Sequence, residues 1–347
     1  MLADELDYVI GVDPHRDTCA LGFVQAKTGG VTFEAEIRAN EAGYRKALSL
    51  AVRHAPDRRA WAIEGTGSYG SGLARFLTAC GERVLEIGRV KRESRSQPKT
   101  DAIDAVRAAR SALGKKRQSH PRSYGEREAL RALMATREGA LRAKRAGLCQ
   151  LRALIVSCPE PLRSSLAPLT RARLLARLAR LRPDSRGDLE LRGTLISLRA
   201  LALRVQTLTR EERELKREIE QLVRKLAPSL VREVGVGPIS AASVFMAWSH
   251  SGRIRNEAAF ARLAGVAPVP ASSGQVVRQR LDHGGDRKLN CALHQIIVSR
   301  KKVHPETIAY VERRISEGKS KREAMRCLKR YLARHLFRVL KKMPLEA

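Results

Sequence analysis

Between residues 6 and 115 the apolar positions fall into short runs separated by amphipathic stretches, the pattern of alternating strands and helices. Tyr8-Val9-Ile10-Gly11-Val12 reads as a first strand closed by Asp13, and Ala60-Trp61-Ala62-Ile63 as another closed by Glu64. Cys19 to Val24 forms a strand between them. Thr28-Gly29-Gly30 supplies a hairpin turn, and Val31 to Ile37 alternates as a half-buried strand. Helices are expected over residues 41–54 and 69–80, the second entered through the turn Gly65-Thr66-Gly67. Val84 to Ile87 is a short strand, and Lys99-Thr100-Asp101-Ala102-Ile103-Asp104-Ala105 opens a last helix.

From residue 126 the period changes. Leu198, Leu201, Val205, Leu208, Glu212, Leu215, Ile219, Leu222 and Leu226 alternate steps of three and four with one polar interruption, preceded by Gly193 and followed by Pro228. A more interrupted series runs through Leu130, Met134, Arg137, Leu141, Lys144, Leu148, Leu151 and Ile155. Such long series predict a coiled coil, formed within one chain or across a dimer. Prolines at 159, 161, 168 and 183 break the helical connection between the two. After Pro228, Val234-Gly235-Val236-Gly237-Pro238 reads as a helix-hairpin-helix-like element, in which the backbone amides of Gly235 and Gly237 would bind phosphates without reading sequence. A short helix near Ala258–Gly265, a Pro/Ser/Gly-rich loop from Val266 to Gln275, and helices over 287–303 and from Pro305 to the end make the C-terminal region mainly helical. Three domains are therefore expected, over residues 1–118, 119–227 and 228–347.

Three strands, helix, strand, helix, strand, helix is the order of an α/β RNase H-like (RuvC-like) fold. The alternative, a doubly wound nucleotide-binding domain, is disfavoured by the early hairpin and by the lack of GxGxxG after the first strand. In the RNase H order Asp13 and Glu64 sit at strand ends. Asp101 and Asp104, three apart on a helix, share a face. Any one of these acids has an ordinary alternative as a surface carboxylate or a helix-start residue. Together they form a set able to hold two Mg²⁺ ions, with Mn²⁺ as a substitute, for phosphoryl transfer. The Gly65-to-Gly70 turn fits either tight geometry or close approach of a nucleic-acid backbone, with neither preferred. Ser272-Ser273-Gly274 alone is ordinary turn chemistry. His15, His283 and His294 have no HxxxH or HExxH partner and read as satisfied or exposed histidines.

Charge narrows the partners. Lys+Arg number 67 against 36 Asp+Glu, a net charge of +31, which calls for a polyanion, most commonly nucleic acid. The basic residues run through the whole chain, including Arg171 to Arg186, rather than along one amphipathic helix, which disfavours a membrane-surface protein. Aromatic residues make up only 4%, too few for a reader of single strands built on stacked rings. The six cysteines show no CxxC or zinc spacing and suit a reducing compartment. With an acidic start, no apolar signal core and no transmembrane-length run, the expectation is a cytoplasmic, prokaryotic protein that joins the nucleoid when bound to DNA.

The motifs in this order resemble insertion-sequence transposases of the IS110 family. The resemblance rests on Gly11-Val12-Asp13, Ile63-Glu64-Gly65-Thr66-Gly67-Ser68-Tyr69, Lys99 to Ala105, Val234 to Gly237, Phe260 to Pro268 and Ser273-Gly274, and covers nearly the whole chain. It implies a RuvC-like domain with a DEDD set at Asp13, Glu64, Asp101 and Asp104, and a C-terminal transposase domain with its catalytic serine at Ser273, beside Ser272. The family's basic segment is partly matched by Arg278, Arg280, Arg287 and Lys288, which with Lys99, Gly235 and Gly237 are the expected nucleic-acid contacts. Gly318-Lys319-Ser320-Lys321 matches a late family motif. The implied chemistry is Mg²⁺-assisted attack of the serine on a scissile phosphate through a covalent protein–DNA intermediate. A structured RNA from the element would pair with donor and target double-stranded DNA, and homodimers would assemble into tetramers. Two rivals stand beside this: a metal-only RuvC-like nuclease or junction resolvase in which Ser273 is structural, and a non-enzymatic basic DNA-binding protein.

Overall fold

The computed structural model describes residues 2–88, 100–115, 119–182, 188–271, 279–280 and 282–343. The chain divides into two compact units, Met1–Tyr124 and Gly125–Ala347.

In the first unit, α1 (Leu2–Glu5) precedes β1 (Tyr8–Pro14), β2 (Thr18–Gln25), β3 (Val31–Arg38), α2 (Glu41–His54), β4 (Arg59–Glu64), α3 (Ser71–Ala79), β5 (Val84–Ile87) and α4 (Asp101–Leu113). The sheet order is β3-β2-β1-β4-β5, with β1, β2 and β3 antiparallel and β1, β4 and β5 parallel. This is the RNase H-like arrangement. The apolar runs are unbroken because both faces of the central strands are covered. Ile10, Val12, Trp61 and Ile63 join Leu73, Leu77 and Ala51 in one core, while Val9, Ala60 and Ala62 join Val106, Ala109 and Ala112 of α4 in the other.

Strand parity then fixes the acids. Side chains two apart share a face, so Asp13 lies on the side of Val9 and Gly11, and Glu64 on the side of Ala60 and Ala62. Both therefore point to the face covered by α4. The helix comes unusually close. Gly11 pairs directly with Gly22 across β1 and β2, and α4 lies over them with Ala105, Ala108, Ala109 and Ala112 buried. A Cβ on Gly11 would stand 1.8 Å from the Ala105 carbonyl oxygen. Thr100 caps α4, its Oγ1 accepting from the Ile103 amide at 3.3 Å, so Asp101 is not used as the cap.

The first unit ends at Tyr124 rather than at 118. Glu86 N donates to Ser119 O (2.8 Å), and the Tyr124 ring lies 4.5 Å beneath the Arg75 guanidinium. Gly125 follows with φ +67° and opens the next helix.

The second unit is mainly helical: α5 (Glu126–Ser157), α6 (Glu160–Leu166), α7 (Arg171–Ala179), α8 (Leu189–Leu226), α9 (Pro228–Arg232), α10 (Pro238–Trp248) and α11 (Glu257–Leu263), then an antiparallel pair of two-residue strands, β6 (Val269–Pro270) and β7 (Gln279–Arg280), then α12 (Arg287–Val303), α13 (Pro305–Ser316) and α14 (Lys321–Lys341). The helices α5 and α8 lie antiparallel. Leu130 packs with Ile219, Val223 and Leu226 near one end, and Leu151 with Leu198, Leu201 and Ala202 near the other. The polar interruptions of the two series meet, Arg137 Nη2 lying 2.6 Å from Glu212 Oε1. A single core joins the first end of this pair to Phe245, Trp248, Phe260, Leu293, Ile296 and Leu336. Side chains from both sides of residue 228 thus share one core.

A continuous helix from Pro305 is not formed. Gly318 adopts φ +84°, and Ser320 starts α14 with a reciprocal capping box: its Oγ accepts from Glu323 N (3.3 Å), and Glu323 Oε2 accepts from Ser320 N (2.9 Å). The Gly318-to-Lys321 motif is thus a helix stop followed by a helix start.

Candidate active site

Asp13 at the end of β1 and Asp101 at the first turn of α4 converge on one another. Between them lies His15, whose Nε2 is 3.4 Å from Asp13 Oδ2 and 3.3 Å from Asp101 Oδ2. One donor atom from each of the three falls within 4.8 Å of the others. The β1–β2 turn holds His15 there: its amide donates to Thr18 O at 2.8 Å. No histidine-pair motif marks this residue, because its neighbours here are carboxylates. The available signal was Asp13-Pro14-His15 at a strand end, where residues two apart share a side.

The other two acids lie close by in the fold but outside that triad. Asp104 is one turn along α4, its Oδ1 held by Arg107 Nη1 at 2.8 Å. Glu64 ends β4, which pairs in parallel with β1 up to Val12 and Ile63. The Gly65 turn is tight geometry in part. Gly65 has φ +63°, and a Cβ on Gly70 would press on Ile63 Cγ2 and Glu64 O at 2.8 and 2.9 Å, whereas Gly67 faces open space.

Burial is the main cause that raises the Asp13 carboxyl above its ordinary value. The positive field of His15 opposes it, and the charges of Asp104 and Asp101 reinforce it. Burial and the Asp13 charge push the nearby Cys19 thiol up to about 11, so it stays protonated and is no nucleophile. A carboxyl with a raised pKa costs the fold stability at neutral pH, and the cost fades as pH falls through that pKa towards the unfolded value. Asp13→Asn is therefore expected to raise the melting temperature of the protein in a chelator at neutral pH, with a gain that shrinks on acidification. Calorimetry showing a lower melting temperature for the variant would refute this account of Asp13. Mutual repulsion of this kind is what a bound cation removes. Two carboxylate oxygens and an imidazole nitrogen suit a divalent ion.

The expected nucleic-acid contacts are scattered. Gly235 has φ +77° and fits against α12, where a Cβ would meet Arg300 Cγ at 2.9 Å, so close packing demands a glycine there. Gly237 precedes α10 and faces open space. Arg280 and Arg287 are exposed. Lys288 Nζ is paired with Glu138 Oε2 at 2.5 Å. Lys99, Ser272, Ser273 and Arg278 lie outside the described residues.

Residues 10–158 match a family described as Transposase, of the DEDD IS110 type, and residues 230–312 match the transposase IS116/IS110/IS902 family. No curated protein matches the chain. A RuvC-like sheet with DEDD acids, followed by a second transposase region, defines a DNA transposase, an enzyme of strand recombination. The chain belongs to the IS110 family. DNA is the substrate this implies, and the DEDD domain implies dependence on a divalent metal. Among the described residues no helix is long and apolar enough to cross a membrane.

Proposed function

We propose that the protein cuts and rejoins DNA through Ser273, at a site whose metal is held by Asp13, Glu64, Asp101 and Asp104, and that a structured RNA selects the DNA. The observation that carries the reading is the convergence of Asp13 and Asp101 on the α4 face of an RNase H-like sheet. Ser273 Oγ forms a bond to the scissile phosphorus, and the ester bond to one strand breaks. The serine proton passes to solvent, and the departing strand keeps its oxygen as a hydroxyl. A strand hydroxyl then attacks the phosphoserine, reforming the phosphodiester and releasing Ser273. Mg²⁺ bound by the carboxylates would neutralise charge developing on the phosphate oxygens. Arg107 holds Asp104 in place, and exposed Arg280 and Arg287 meet backbone phosphates.

Dimers that pair into tetramers would bring two duplexes together. Apolar side chains left exposed on the long helices, Val156, Leu189, Ile196 and Leu203, support association through that region. The charge of +31 suits a complex holding both RNA and DNA.

The test is a recombination reaction with Mg²⁺, donor and target DNA, and RNA from the element's flanking sequence, resolved on a denaturing gel. Wild type should give a DNA-linked protein band. Ser273→Ala and Asp101→Ala should each lose it by more than about a hundredfold. Cleavage that survives Ser273→Ala but not Asp101→Ala would make the protein a metal-only nuclease. Cleavage and joining untouched by either change would remove the enzymatic reading of these residues.

A further inference from the structure

His15 is the group at this site that the DEDD set does not contain. Its Nε2 sits at 3.3 and 3.4 Å from the Asp101 and Asp13 oxygens. Donors at neighbouring corners of an octahedral ion with bonds of about 2.1 Å lie about 3 Å apart. Both distances from His15 are thus close to the spacing of neighbouring donors on such an ion, and the three groups offer atoms within 4.8 Å of one another. The hairpin turn fixes the backbone of His15, while half its side chain is open to solvent, leaving room for water or a phosphate oxygen on the remaining corners.

We propose that His15 is a metal ligand, and that its nitrogen tilts the site towards Mn²⁺ over Mg²⁺. The inference rests on the metal-dependent reading above. Mg²⁺ is a hard ion that favours oxygen and gives up water reluctantly, whereas Mn²⁺, a larger and softer d-block ion, exchanges water for an imidazole nitrogen more readily than Mg²⁺ does. The site still accepts Mg²⁺ through its carboxylates. Its relative affinity for the two ions is set by His15. This is a property of the chain itself and needs no nucleic acid to be seen.

The experiment is Mn²⁺ binding to the full-length protein without DNA or RNA, followed by calorimetry and by pulsed electron paramagnetic resonance, with Mg²⁺ affinity read by competition. Wild-type protein should show nitrogen coupling from a directly bound imidazole. His15→Ala and His15→Gln should both lose that coupling and bind Mn²⁺ at least about tenfold more weakly, while Mg²⁺ affinity changes less than about threefold. Thermal melting of both variants checks that the fold persists. Mn²⁺ bound by wild type without nitrogen coupling, or with an unchanged Mn²⁺-to-Mg²⁺ affinity ratio in both variants, would overturn the role of His15 and leave the carboxylate site standing. Wild-type protein that binds neither ion, alongside an Asp13→Asn control that behaves identically, would overturn the metal reading and the inference with it.

Discussion

Gly11→Ala is expected to destabilise the N-terminal unit by about 3 kcal/mol or more and to abolish strand cutting. Adding methylenes to a well-packed core typically costs about 1–3 kcal/mol because side chains and backbone shift to make room. Here the obstruction is helix backbone: the new Cβ would lie 1.8 Å from Ala105 O and 2.7 Å from Ala109 N. No rotamer change relieves that, so α4 must lift from the sheet. The same helix carries Asp101 and Asp104, and Asp13 stands two residues beyond Gly11 on the same face. A displacement of about 1 Å can cost on the order of a hundredfold in rate. Thermal melting, Mn²⁺ binding and strand cleavage should therefore all fail together. Gly139→Ala, in α5 with nothing near its Cβ position, serves as the contrast and should stabilise by roughly 0.5–1 kcal/mol through helix propensity. Wild-type melting and cleavage in Gly11→Ala would mean that the helix does not rest on this glycine.

Glu212→Ala should cost the second unit about 2–3 kcal/mol, whereas the double change Arg137→Leu with Glu212→Leu should be close to neutral or stabilising. Both side chains are only about one-sixth exposed, 17% for Arg137 and 15% for Glu212. Removing the carboxylate strands a guanidinium between two apolar clusters. A fully buried pair broken in this way loses about 3–5 kcal/mol, and partial access to water lowers that figure here. Two leucines instead continue the apolar series of both helices without leaving a charge behind. A double-mutant cycle by urea unfolding measures the coupling. A value near zero would show that the two charges are solvated independently.

The first unit was legible almost to the residue, because strand and helix periods there are short and uninterrupted. The element positions of the acids were legible too: Asp13 and Glu64 lie at strand ends, and Asp101 and Asp104 in the first turn of a helix. The Gly11–Gly22 groove was not: its partners are eleven residues apart and meet only once the β1–β2 register is known. His15 was missed because its partners are carboxylates, one of them on a distant helix. In the second unit the two apolar series marked α5 and α8, but not that Arg137 in one answers Glu212 in the other. Packing across the border expected at 227/228 was not legible for a related reason. Leu130 and Ile219 share a core with Leu336, a link that no local pattern carries. At Gly318 a left-handed residue and a capping serine end what periodicity alone would continue.

The sheet of the first unit has two outer strands, and each is finished differently. Ser119 covers part of β5 by accepting from the Glu86 amide. The opposite margin, β3, turns Thr32, Glu34, Glu36 and Arg38 outwards. Two carboxylates on an outer strand repel a like strand and remain solvated. Copies of a protein this basic are drawn to the same polyanion and reach high local concentration there. Charged and covered margins thus oppose the growth of such crowding into cross-chain β-structure.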